Sequence, residues 1–67
     1  MERRTLIRLE CDEERVILVN EEHNTIRVEL LESGHLIYSV TYFSPYSLSE
    51  IIFELFDKHK IIEYSSW

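Results

Sequence analysis

The chain is poor in residues that cross-link or bend a backbone, because its 67 residues include one cysteine, one proline and one glycine. The lone Cys11 excludes an intramolecular disulfide and is typical of a reducing compartment. The first residues are charged and no apolar leader follows them, and no apolar run approaches the roughly 18 residues of a membrane span. These absences predict a cytoplasmic protein that does not bind membranes.

Basic residues are scarce as well, with 7 Lys and Arg against 13 Asp and Glu, and the net charge is −6. Binding to a nucleic-acid backbone requires clustered positive charge, so we expect no direct binding of nucleic acid. An acidic chain suits a basic protein surface instead.

Motifs for catalysis and metal binding are also missing. His23, His35 and His59 lie 12 and 24 residues apart, whereas zinc ligands cluster at short spacings. The acidic runs at 12–14 and 21–22 lack the alternating ligands and central glycine of a calcium loop. No serine lies in a nucleophile elbow. We therefore predict that the protein is not an enzyme and takes no metal or cofactor.

What the chain does contain is a pattern of strands followed by a helix. With 45% hydrophobic residues, residues 1–67 suit one small globular domain. Alternating or continuous apolar runs predict strands at 5–10, 15–20, 25–31, 35–43 and 61–64. The predicted fold is α+β: an antiparallel sheet of four to five strands in the order β-β-β-β-α-β, with one helix packed on one face.

The pairing of the first two strands is predicted from the polar connection at 11–14. A four-residue loop there sets Glu10 opposite Arg15 and Leu9 opposite Val16, which gives a cross-strand charge pair and an apolar pair.

The turn between the third and fourth strands is predicted to have three residues, Glu32, Ser33 and Gly34. A two-residue turn at Ser33 and Gly34 would set the apolar Ile26, Val28 and Leu30 opposite Thr41, Ser39 and Ile37. The three-residue turn sets them opposite Val40, Tyr38 and Leu36, which makes one consistently apolar face.

The helix begins at a capping box in which Ser47 is the N-cap and Glu50 the third helical residue. An apolar stripe at helical spacing then predicts the buried side, formed by Leu48, Ile51, Ile52, Leu55 and Phe56. Phe53 lies off this stripe, beside acidic residues.

Apolar residues outside the predicted core are Leu31, Ile37, Phe43, Phe53 and Trp67. One interpretation is that they complete strand ends or are ordinary surface residues. The other is an interface, and a sheet covered by a helix on one face leaves its second face available for a homodimer. We predict a dimer interface at Leu31, Ile37 and Phe43.

Part of the chain resembles the small acidic inhibitors that Bacillus phages make against uracil-DNA glycosylase. The matching residues are the turn at Gly34, Tyr38 and Tyr42, and the helix start Ser47-Leu48-Ser49-Glu50, and the resemblance covers about half of the chain. It implies a dimer that mimics DNA and inserts an aromatic ring into the target's pocket. That family has phenylalanine directly after the acid, where this chain has Ile51, and the nearest aromatic is Phe53. Other acidic phage inhibitors, including those of CRISPR nucleases, share the same outline.

These patterns predict a small acidic protein-binding module, a phage-type inhibitor of a nucleic-acid-processing enzyme that acts by DNA mimicry. Glu50, Glu54 and Asp57 would stand in for phosphates, and Phe53 would be the apolar anchor of the partner-binding surface. The alternative is a homo-oligomeric structural or regulatory protein, such as an antitoxin or an assembly subunit, without DNA mimicry. A small enzyme or a nucleic-acid binder is the third possibility.

Overall fold

A computed structural model describes residues 3–11 and 14–66 of the protein. These residues form a five-stranded antiparallel sheet with one helix on one face, which confirms the α+β prediction. In chain order the elements are β1 (Arg3–Cys11), β2 (Arg15–Glu22), β3 (Thr25–Glu32), β4 (His35–Phe43), α1 (Leu48–Lys58) and β5 (Ile61–Ser66).

The order of strands across the sheet is β4-β3-β2-β1-β5. Short connections join β1 to β4 into a meander, because antiparallel neighbours need only a tight turn between them. The segment that contains α1 then returns the chain to the far side of β1. Consequently β4 and β5 are the two edge strands, and α1 covers the sheet between them.

The buried core lies between α1 and the three central strands. Its side chains alternate along β2 and β3, as expected for strands with one covered face, and are spaced by four residues on α1, while β1 contributes one residue. They are Leu9, Ile17, Val19, Ile26, Val28, Leu30, Ile51 and Leu55, each exposed by at most 8%.

The predicted register of the first hairpin is wrong by one residue. Glu10 pairs with Val16 and Leu9 pairs with Ile17, rather than with Arg15 and Val16. The centre of β2 is apolar on every residue, so alternation could not decide which set faces the core. Burial of Leu9 and Ile17 beneath α1 decides it, with exposed fractions of 0% and 1%.

The second predicted turn is also wrong in length, although the apolar face that motivated it is present. Glu32 pairs with His35 across the two residues Ser33 and Gly34. Their φ angles are 53° and 83°, which is the geometry of a type I′ hairpin turn.

A β-bulge on β4 restores the apolar pairing that a two-residue turn would otherwise lose. Leu31 pairs with Leu36 but Leu30 pairs with Tyr38, so Ile37 is the additional residue. An added residue reverses the alternation of side chains along a strand. As a result the buried Ile26, Val28 and Leu30 oppose Tyr42, Val40 and Tyr38. Each of these partners lies two positions later in the sequence than the partner predicted for it.

The helix begins where the capping box predicts. The Glu50 amide donates to Ser47 Oγ over 3.4 Å, and Ser47 has an extended backbone. Of the predicted stripe, Ile51 and Leu55 are buried and Leu48 and Ile52 are half-buried, whereas Phe56 is 43% exposed. It lies toward the β5 edge, where its ring contacts Tyr64 edge-on at a centroid distance of 6.1 Å.

Candidate protein-binding surfaces

The side of α1 that faces solvent carries all four residues predicted to bind a partner, Glu50, Phe53, Glu54 and Asp57. Each is exposed. Their spacing of three, four and seven residues places them on one side of a helix with 3.6 residues per turn. We call this set the α1 outer face. It lies opposite Ile51 and Leu55, which are buried against the sheet.

Among the carboxylates of this face, Glu54 has local partners. Its Oε2 lies 3.2 Å from Lys58 Nζ, and its Oε1 accepts a 3.5 Å hydrogen bond from the Tyr42 hydroxyl. Exposed contacts of this kind contribute roughly 1 kcal/mol or less. Within residues 3–11 and 14–66 no ion pair involves Glu50 or Asp57, so these two carboxylates present their charge to solvent.

Tyr42 connects β4 to this face. Burial, and then the charge and hydrogen bond of Glu54, raise the pKa of Tyr42 above its ordinary value. The phenol is therefore neutral at physiological pH and remains a hydrogen-bond donor to Glu54.

Phe53 stands beside an apolar groove. Its side chain is 78% exposed, the largest fraction among the large exposed hydrophobic residues of the described chain. The groove, of about 540 Å³, runs between α1 and the strands β1 and β5, and its lining consists of Ile7, Leu9, Ser49, Ile52, Phe53, Phe56 and Tyr64. A partner that contacts Phe53 thus meets apolar surface on one side of the ring and carboxylates on the other.

The residues predicted for a dimer interface lie near the two ends of β4, with Leu31 and Ile37 near the bulge and Phe43 at the other end. Leu31 is half-buried on β3. Ile37 lies at the bulge of β4 and Phe43 lies at the end of that strand, with exposed fractions of 50% and 70%.

Other exposed apolar residues, which the sequence pattern did not predict, lie on the same strand. Leu36, Tyr38 and Val40 are 53%, 44% and 41% exposed, because β4 is an edge strand with a neighbour on one side only. One sequence signal could have identified this segment: residues 33–49 contain no Asp, Glu, Lys or Arg.

The sheet face opposite α1, which we call the open face, is polar at its centre. Thr5 Oγ1 donates to Asn20 Oδ1 over 2.8 Å, and Asn20 Nδ2 donates to Glu29 Oε1 over 3.0 Å. Arg27 lies 3.5 Å from the second oxygen of Glu29. Asn20 and Glu29 are buried, with exposed fractions of 0% and 8%. A dimer formed by stacking open faces would have to desolvate this ionic network further, which is unfavourable.

Residues with metal-binding chemistry do not gather in the described part of the chain: no group of three or more His, Cys, Asp and Glu side chains there could hold an ion. Nor does that part include a helix with the length and apolarity to cross a membrane. Trp67, which was counted among the apolar surface residues, lies outside the described residues. Comparison with protein-family models, curated proteins and solved structures found no match.

Proposed function

We propose that the protein is a small acidic protein-binding module that inhibits a nucleic-acid-processing enzyme by presenting the α1 outer face in place of DNA. The observation that supports this proposal most directly is that Glu50, Glu54 and Asp57 share one exposed helix side with Phe53. The net charge of −6 adds attraction toward the basic cleft of such an enzyme.

The spacing of the carboxylates suits this role. A helix rises 1.5 Å per residue, so Glu50 and Asp57 lie about 10 Å apart along the axis with Glu54 between them. One strand of DNA carries a charge every 3.4 Å or so of helix axis, or about three charges over the same length. The three carboxylates on this side of the helix therefore match the number of charges along a short stretch of one DNA strand, and Lys58 offsets part of the charge of Glu54.

Phe53 adds an apolar contact that the carboxylates cannot make. Enzymes that extrude a nucleotide from the duplex hold its base in a pocket lined by aromatic and apolar side chains. A phenylalanine ring is flat and apolar and can enter such a pocket, while the neighbouring carboxylates contact the basic residues around it. Base-flipping enzymes are accordingly the target class that we propose.

The direct test is inhibition of uracil-DNA glycosylase, followed by other base-flipping enzymes, by the purified chain. We expect inhibition that weakens as NaCl concentration rises, because exposed charge contacts are screened. The double variant Glu50→Gln, Asp57→Gln should raise the inhibition constant about tenfold, or about 1.4 kcal/mol. Glu63→Gln is the matched control, since Glu63 is an exposed acid on β5. The control removes one charge and the double variant removes two, so a control effect of about threefold, half of the double variant's in free energy, would show that only net charge matters and would contradict a binding role for this face.

The second candidate function is a homo-oligomeric structural or regulatory protein without DNA mimicry. The exposed apolar side chains of β4 favour it, because monomeric proteins rarely leave such a run uncovered. Absence of inhibition across the enzyme panel, together with stable self-association, would select this candidate.

A further inference from the structure

The outer side of β4 offers backbone groups to a further strand. β4 is a nine-residue strand at the edge of the sheet, and no described residue pairs with its outer side. An edge strand presents a row of unpaired N–H and C=O groups, and a β-strand satisfies such a row with a continuous ladder. The unpaired backbone groups of β4 therefore favour a β-strand as the partner, which an apolar patch alone would not.

β4 has a β-bulge at Ile37, but it lacks two other features by which edge strands usually avoid pairing. Those features are charged side chains, especially lysine, and proline within the strand. β4 has neither, since residues 33–49 carry no Asp, Glu, Lys or Arg and the single proline, Pro45, follows the strand. The bulge at Ile37 affects one end only. The opposite edge strand, β5, carries Glu63 near its centre.

We propose that β4 pairs antiparallel with β4 of a second copy of this chain, so that two five-stranded sheets join into one of ten strands. Charge identifies the second copy as the occupant. Each copy carries a net charge of −6, and β4 is the edge strand without Asp, Glu, Lys or Arg, so two copies can meet there in any register without bringing strand charges together. The surface is self-complementary, as a two-fold interface must be.

The side chains of β4 also select a register. A two-fold axis at Val40 places Val40 opposite itself, Tyr38 opposite Tyr42 of the second copy, and Ile37 opposite Phe43. Aromatic and β-branched pairs of this kind are favourable across strands. An axis at Ser39 would instead place Phe43 opposite His35, and an axis at Thr41 would place Phe43 opposite Ser39. The register centred on Val40 therefore covers the exposed apolar side chains at both ends of the strand.

This arrangement uses no residue of the α1 outer face, and its link to that face is Tyr42, which pairs with Tyr38 of the second copy and donates a hydrogen bond to Glu54. An axis perpendicular to the sheet keeps both helices on the same side of the joined sheet. The two α1 outer faces would then lie on one side of the dimer. The failure of either proposal leaves the other intact, since one is measured by enzyme inhibition and the other by mass in solution.

Sedimentation equilibrium of the purified full chain, from low to high micromolar concentration, tests the proposal. We expect a dimer whose dissociation constant does not rise with NaCl concentration. Val40→Lys places two ammonium groups opposite each other at the axis and should raise that constant tenfold or more. Ile62→Lys is the matched control, because Ile62 is an exposed apolar residue on the other edge strand, and it should remain dimeric. A monomeric wild type, a dimeric Val40→Lys protein or a monomeric Ile62→Lys protein would each overturn the proposal.

A cross-linking experiment keeps the proposal testable if Val40→Lys fails to fold. In a Cys11→Ser background, Val40→Cys should form a disulfide-linked dimer on oxidation, because directly opposed residues have Cβ atoms about 4.5–5.5 Å apart. Thr41→Cys, one residue from the axis, should cross-link far less. Equal cross-linking at the two positions, or none at Val40→Cys, would exclude the register centred on Val40.

Discussion

The α1 outer face and the edge of β4 are both exposed and both contain aromatic residues, yet they differ in charge. Three carboxylates surround Phe53 on α1, whereas Phe43 on β4 ends an uncharged segment. Charged surfaces bind partners in a salt-dependent way, while a ladder of backbone hydrogen bonds between uncharged strands depends little on salt. We therefore propose two separate binding modes, one on α1 and one on β4, and expect that each can be disrupted without the other.

The largest expected effect is on the aromatic anchors. Phe53→Ala should weaken inhibition of the target enzyme by about 2 kcal/mol or more, roughly 30-fold, because buried aromatic anchors dominate interfaces. It should leave dimerisation unchanged. Phe43→Ala, which removes a similarly exposed ring from β4, should weaken dimerisation and leave inhibition unchanged. Measured inhibition and dimer dissociation constants for both variants provide the comparison, and parallel losses in the two assays would mean that the surfaces are coupled.

A smaller effect is expected from the helix cap. Ser47→Ala removes the acceptor of the Glu50 amide and should lower the free energy of unfolding by about 1 kcal/mol. Fraying of the first helical turn should displace Glu50 and weaken inhibition slightly. Chemical denaturation measures the change in the free energy of unfolding. Ser44→Ala, in the loop before the helix, is the control. A Ser47→Ala protein with reduced dimerisation but unchanged stability would contradict the separation of the two surfaces.

The smallest effect concerns the contact between Tyr42 and Glu54. The pKa of Tyr42 is raised by burial and by Glu54, so between the unfolded and folded pKa values the folded protein retains a proton that the unfolded chain has released. Stability should therefore fall as the pH rises above about 10, the ordinary tyrosine value. Tyr42→Phe should reduce this alkaline loss while changing stability little at neutral pH. Denaturation midpoints across that pH range measure it, and an unchanged alkaline profile in Tyr42→Phe would exclude Tyr42 as the cause.

Several features could be predicted because they depend on neighbouring residues. The start of α1 follows from Ser47 and Glu50, which contact each other within one turn. The exposure of Phe53 follows from its position off the apolar stripe of the helix. The order of strands and helix follows from apolar periodicity, which is a local pattern.

Features that depend on distant residues were predicted wrongly or missed. The register of β1 against β2 could not be read from residues 16–19, which are apolar on both sides of the strand. The bulge at Ile37 compensates for a two-residue turn, and no local pattern marks it. The burial of Asn20 and Glu29 was missed because their hydrogen bonds join three different strands.

The sequence by itself determined the α+β class, the helix start and the composition of the α1 outer face, because capping and periodicity act over a few residues. The tertiary structure decided which residues pair across strands, which polar groups are buried and which strands form the edges. Those outcomes depend on how the sheet packs beneath α1, where the burial of Leu9 and Ile17 selects one register among several that the strand patterns permit. The edge position of β4 is the consequence on which the proposed dimer depends, since it exposes an uncharged strand that the sequence alone could not place.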